Sequence, residues 1–154
     1  MKRTLCSLRF TFATMIMIGV GLNFASISAF ADDEGCSART LNGLYGIETS
    51  GSIVAGGPVG PIAEAGIIHF DGEGRVSQTT TVSMNGTIIP NRSSLSGAYR
   101  VSQNCTGDLA LVLPVAPGVT ITSTWHFVIV DSGKEVRLVN TGAGRVLLSN
   151  ARKQ

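Results

Sequence analysis

The chain has 154 residues, with 12 Lys and Arg against 10 Asp and Glu. Charged residues make up only 14%, well below the rough quarter usual in soluble domains. Gly is abundant at 19 residues, and Thr, Ser, Val and Ile are common, which favours strands and tight turns over helices. Lys and Arg do not cluster into a phosphate-binding face, so no nucleic-acid partner is expected.

Residues 1–31 have the order of a secretory signal peptide, cleaved on export. Lys2, Arg3 and Arg9 form a basic start, "ATMIMIGVGL" over 13–22 is the apolar core, and Ala29-Phe30-Ala31 offers a small-x-small cleavage site. The apolar run is short and broken by Gly, against the roughly 20 residues a bilayer span needs. Residues 32–154 then form a single exported domain of 123 residues, with nine basic against ten acidic side chains and no further stretch of membrane-spanning length. That length supports one core. Cys36 and Cys105 are the cysteines left in it. An even count in an exported chain points to a disulfide, closing a loop for which chain entropy gives about 4 kcal/mol.

Along this domain the apolar residues alternate with period 2, and Gly, Asp and Asn punctuate them. A first strand is expected over 43–52, with Tyr45 and Ile47 on one face. A Gly/Pro loop, "IVAGGPVGP", follows over 53–61. Strands at 62–70 and 75–84 flank "DGEG", a turn whose glycines tolerate positive φ. "NG" at 85–86 is another hairpin signal. Pro90 makes 87–94 an edge or loop segment. Further strands are expected at 95–101, 108–113, 119–130, 135–141 and 145–151. The longest, 119–130, places Val119, Ile121, Trp125, Phe127 and Ile129 on one face and Thr120, Thr122, Thr124 and His126 on the other. About eight strands joined by short turns argue for an all-β antiparallel meander closed into a barrel, with a sandwich as second choice. Closure removes exposed sheet edges.

Two patterns recur. "LNGLYGI" at 41–47 returns as "LSGAYRV" at 95–101, and "HFDGEGRV" at 69–76 is echoed by "IVDSGKEV" at 129–136. The similar offsets allow an internal duplication, but any meander reuses Asp-x-Gly turns. In Gly-x-Tyr-x-Ile the Gly and Tyr share a strand face. A large aromatic beside a missing side chain suits a barrel end or a strand bend, with the hydroxyl reaching a partner at the core edge.

The opening "LNGLYGI" resembles that of lipocalin-like (calycin) barrels, in which Gly-x-Trp or Gly-x-aromatic begins the first strand; Tyr45 stands here where Trp is usual. With "GIIHFDGEGRV", "GAYRVSQNCTGDL" and "FVIVDSGKEV", the order of motifs over most of 36–152 is similar to that of a group of short exported bacterial proteins. The resemblance implies a β-barrel and a periplasmic or extracellular location, and brings no activity with it.

Catalytic signatures are missing. His69 and His126 are the two histidines, without the spacing of a zinc site. There is no Gly-x-Ser-x-Gly elbow, and "AGGPVGP" lacks the Lys-Ser/Thr of a P-loop. No metal or cofactor is expected. Polar candidates are Glu64, which shares a face with Ile62, Ile68 and Phe70, together with His69 and Arg137. Ligand-lining candidates are Tyr45, Phe70, Tyr99, Trp125 and Phe127. Three functions follow from these residues. The first is a binding module for a small lipophilic molecule inside the barrel. The second is a structural or interaction protein with a solid core. The third is a barrel-cavity cyclase or isomerase, which needs Glu64, His69 or Arg137 to converge.

Overall fold

The computed structural model describes residues 35–154; the signal peptide expected over 1–31 lies outside the described residues. After a short 3-10 turn, Ala38–Thr40, nine strands follow: β1 Asn42–Ile53, β2 Gly60–Asp71, β3 Val76–Met84, β4 Thr87–Ser93, β5 Ser96–Val101, β6 Thr106–Ala116, β7 Val119–Val130, β8 Glu135–Asn140 and β9 Arg145–Lys153. All pair antiparallel in one curled sheet, a half-barrel of order β4-β3-β2-β1-β9-β8-β7-β6-β5. Among the described residues no helix is long and apolar enough to cross a membrane.

Local chemistry sets these elements. Asn85 and Gly86 take φ of 48° and 84°, the left-handed conformation that a two-residue hairpin requires. At the β2–β3 turn the Asp71 carboxylate accepts the backbone N–H of Glu73 at 2.7 Å and of Arg75 at 2.9 Å, and these two bonds hold its pKa below the usual range. Period 2 then sorts the side chains. In β7, Ser123, Trp125, Phe127 and Ile129 are buried while His126 and Val128 face out. The sheet is sealed across the ends of the chain by β1 against β9, from Tyr45 opposite Lys153 to Ile53 opposite Arg145.

Two expectations change. The count is nine strands, because the segment around Pro90 is a strand, β4, at one edge. The sheet is also not a closed ladder, since β4 and β5 are both edges. Pro90 has no N–H to offer, Asn91 takes φ of 50°, and the register against β3 shifts between Thr80 and Val82. A regular ladder cannot continue through that bulge. The chain itself crosses from one edge to the other: Ser94 donates its N–H to Gln78 O on β3, and Leu95 donates to Val112 O on β6. Further along, Tyr99 N–H reaches Gly74 O at 2.8 Å, and Arg75 bridges to Ala98.

One end of the curled sheet is a solid plug. Tyr45, Phe70 and Tyr99 stack edge-to-face, with ring centroids 5.4 and 5.1 Å apart, a favoured aromatic geometry. The Tyr45 hydroxyl donates to Gly133 O at 2.6 Å. The Tyr99 hydroxyl shares its proton between Ala38 O and Leu41 O, at 2.9 and 3.0 Å. Cys36 and Cys105 form a disulfide with Cα atoms 4.8 Å apart, fastening the segment that supplies those carbonyls.

The two copies of the Tyr motif thus share a role for the tyrosine but use the glycine differently. Gly43 supplies a positive φ of 112°, whereas at Gly97 a Cβ would run into Val76 O. The Asp-x-Gly turns do not extend the repeat. In the first copy β1 leads directly into β2 and its turn; in the second, β6 intervenes between β5 and β7.

Candidate functional site

The opposite end of the half-barrel opens into a pocket of about 190 Å³. It lies where β1, β6 and β7 end or begin, under the loop that carries Gly56, Gly57 and Pro58. Its walls are largely apolar: Ile53, Ile62, Met84, Leu111, Leu113, Trp125 and Leu147, with Arg145 also contributing. The inward positions of each strand provide them, as the alternating burial of β1, β2, β6 and β7 dictates.

Beneath this apolar wall lies a buried polar network. Glu64 on β2 and Arg92 on β4 form an ion pair at 2.7 Å, with 6% and 8% of their side chains exposed. Thr80 Oγ1 donates to Glu64 Oε2 at 3.2 Å, and Gln78 Nε2 makes longer contacts of 3.4 Å to Glu64 Oε1 and to Thr80 Oγ1. Across the pocket, Ser123 Oγ accepts from Trp125 Nε1 at 2.9 Å and from Asn140 Nδ2 at 3.2 Å. The Trp125 ring is therefore fixed in orientation, with its polar atom satisfied and its ring against the pocket. Lower down, Thr49 and Ser149 share a hydrogen bond of 2.8 Å. A buried ion pair gains its attraction only when further hydrogen bonds offset the loss of water. Glu64 has such bonds. Among the described residues, Arg92 Nε is buried without a hydrogen-bond partner.

The sequence candidates separate. Trp125 and Glu64 line the pocket. Tyr45, Phe70, Tyr99 and Phe127 are buried and do not line it; the first three form the plug, and Phe127 packs so tightly against β6 that a Cβ on Gly107 would meet its ring. His69 and Arg137 point outward from β2 and β8. Arg137, 67% exposed, binds Glu135 at 2.8 Å, and Arg152 joins at 3.1 Å. The Glu135 carboxyl is accordingly held below its usual range, chiefly by Arg137. Glu64, His69 and Arg137 therefore do not converge, as a cyclase or isomerase built on them would require. His126, also outward, contacts Asp108 at 2.9 Å. Among the described residues no three His, Cys, Asp or Glu side chains gather where they could hold a metal ion.

Arg92 is the residue that sequence reasoning missed. Ile89 pairs with Val82 and Arg92 with Thr80, so facing positions are three apart on β4 and two apart on β3. The bulge at Pro90 and Asn91 turns Arg92 inward against the period, and Pro90 was the available signal. A larger concavity of about 800 Å³ lies on the outer face of β1, β2, β3, β8 and β9, floored by small residues such as Ala63, Ala65 and Ser83 and edged by Arg137 and Arg152. It is a surface groove, whereas the inner pocket is enclosed on most sides. Comparison with family models, curated proteins and solved structures gives no match.

Proposed function

We propose that this is an exported binding module, lipocalin-like in general character and at home in a bacterial periplasm or outside the cell, whose inner pocket holds a small lipophilic molecule. The observation that carries this reading is the pocket itself: a partly enclosed, largely apolar space at the open end of an otherwise packed sheet, walled by Trp125 and floored by buried polar groups. Its volume of about 190 Å³ lies below the roughly 300 Å³ at which drug-sized sites begin. It exceeds the engineered cavity of about 150 Å³ that takes up benzene. The ligand is therefore compact, of the order of one ring or a short chain. The surroundings favour entry of an apolar molecule, since Val59, Val115 and Val119 are exposed in the loops and strand ends at this end of the sheet. Export is supported by the Cys36–Cys105 disulfide, a bond that persists in oxidising compartments.

Native mass spectrometry of the protein purified from its own host, before and after organic extraction, tests the proposal. The expected result is a co-purifying small molecule that extraction removes. A clean mass before extraction, with no change in Trp125 fluorescence on adding compact apolar probes such as toluene or hexanol, overturns it and leaves a solid half-barrel acting through its surface.

A further inference from the structure

We propose that the open end of the half-barrel is a docking surface for a lipid bilayer, with the rim of the pocket set against the headgroups and the upper acyl region. The proposal stands on the rim and does not depend on the pocket holding a ligand. Strands that run up and down place four turns at this end: β1–β2 over 54–59, β3–β4 over 85–86, β6–β7 over 117–118 and β8–β9 over 141–144. They read "VAGGPV", "NG", "PG" and "TGAG", without one charged residue. The turns at the plugged end read "GEGR", "SQNC" and "DSGK", and carry Glu73, Arg75, Asp131 and Lys134. Aliphatic side chains are exposed where the charges are missing. Val54, Val59, Ile88, Val115, Val119 and Val146 are each 48% exposed or more, and all lie in the four turns or within two residues of them.

The shape of this set decides the partner. The aliphatic groups come from separate turns around the mouth of the pocket, so the middle of the patch is a hollow. A protein partner, or a second copy of the chain, gains most from a packed centre with aromatic anchors. The four turns and the two residues on either side of each hold no Phe, Tyr or Trp. A bilayer needs no such centre. Each aliphatic tip leaves water for the acyl boundary on its own, and no charge is desolvated in the turns that carry it. The electrostatics agree. Arg145 is the one charged residue in or beside the four turns, and it sits at the mouth, where a lipid phosphate can meet it. Among the described residues no carboxylate stands on the rim to repel that phosphate. Glu64, deeper in the pocket, is already paired with Arg92 at 2.7 Å.

The test is sedimentation of the disulfide-bonded protein with vesicles of phosphatidylcholine alone, and with phosphatidylglycerol mixed in. It should bind both, and the anionic vesicles about fivefold more tightly, as one cation at an anionic surface provides; Arg145→Gln should remove that difference. Val59→Glu and Val119→Glu replace exposed side chains on two different turns, and each should lower partitioning about tenfold by bringing a carboxylate to the headgroups. Leu44→Glu, at a residue 53% exposed at the start of β1 by the plugged end, should bind as the unmodified protein does. No sedimentation with either vesicle overturns the proposal, as does a loss in Leu44→Glu equal to that in Val59→Glu. A concentration-dependent dimer without lipid, abolished by Val59→Glu, overturns it in favour of a second copy. The pocket is read separately, through Trp125 fluorescence on adding toluene. A response there without vesicle binding sinks the docking surface and leaves the binding module standing. Vesicle binding that the rim variants weaken, with Trp125 silent, upholds the docking surface and removes the pocket reading.

Discussion

Both tyrosines of the chain spend their hydroxyls on backbone carbonyls at the plugged end, and burial raises both pKa values above the ordinary range. A group whose folded pKa is raised stabilises the fold fully below its unfolded value, near 10 for tyrosine, and loses that contribution as pH climbs through the folded value. The fold should therefore resist alkali to about pH 10 and weaken above it. Tyrosinate absorbance in the near ultraviolet should lag behind that of free tyrosine and rise together with the loss of circular dichroism. Ionisation of either ring near pH 10 with the fold intact would mean that its hydroxyl is in water. The Gly-x-Tyr pattern announced this role in the sequence, since a buried phenol must find a partner. The partners themselves, Gly133, Ala38 and Leu41, were not legible: backbone carbonyls carry no sequence signature, and Gly133 lies 88 residues from Tyr45.

Strand β5 is short, and Gly97 lets it lie close against β3. A Cβ there would meet Val76 O, with Leu111 Cδ2 at 2.7 Å and Val76 Cγ1 at 2.9 Å. The first of these neighbours is backbone and cannot rotate away, so Gly97→Ala must push the two strands apart. Overpacking of this kind costs about 1–3 kcal/mol, and chemical denaturation should show a loss in that range. Gly57→Ala, in a loop where a Cβ meets nothing within 4 Å, should stay within about 0.5 kcal/mol. Equal effects at the two sites would mean that β3 and β5 do not depend on close approach. Period 2 and turn residues made β1, β2, β3 and β7 readable, because each strand's burial follows from its own alternation. They failed at β4, where Pro90 and Asn91 break the alternation and bring Arg92 into the pocket. They were silent on the pairing of β1 with β9, and on the crossing at Ser94 and Leu95 that leaves the sheet an open half-barrel, since a strand's pattern shows which face is buried without naming its neighbour.

The two ends of the sheet differ in construction, and the disulfide belongs to one of them. Cys36 and Cys105, 69 residues apart, are reinforced by Cys36 N–H donating to Gln103 O at 3.1 Å and by Ile129 N–H donating to Cys105 O at 2.8 Å. Together they hold the segment whose carbonyls at Ala38 and Leu41 receive the Tyr99 hydroxyl. Removing a bridge over a loop of this length costs about 2–4 kcal/mol, mostly by freeing the unfolded chain, and Cys36→Ser with Cys105→Ser should lower Tm by about 10 °C. Hydrogen exchange separates that global term from the local one. Every amide that exchanges by complete unfolding should lose protection equally. Those over 36–42 should lose more, because without the bond this segment can lift away while the sheet remains folded. Amides of the strands that wall the pocket should show the global loss alone, and binding of a compact apolar probe beside Trp125 should persist. An extra local loss around the pocket would mean that the plug and the mouth form one cooperative unit. The segregation of buried contacts points the other way: aromatic stacking and carbonyl hydrogen bonds at one end, and at the other an apolar space over a polar floor that does not depend on the N-terminal segment for any of its walls.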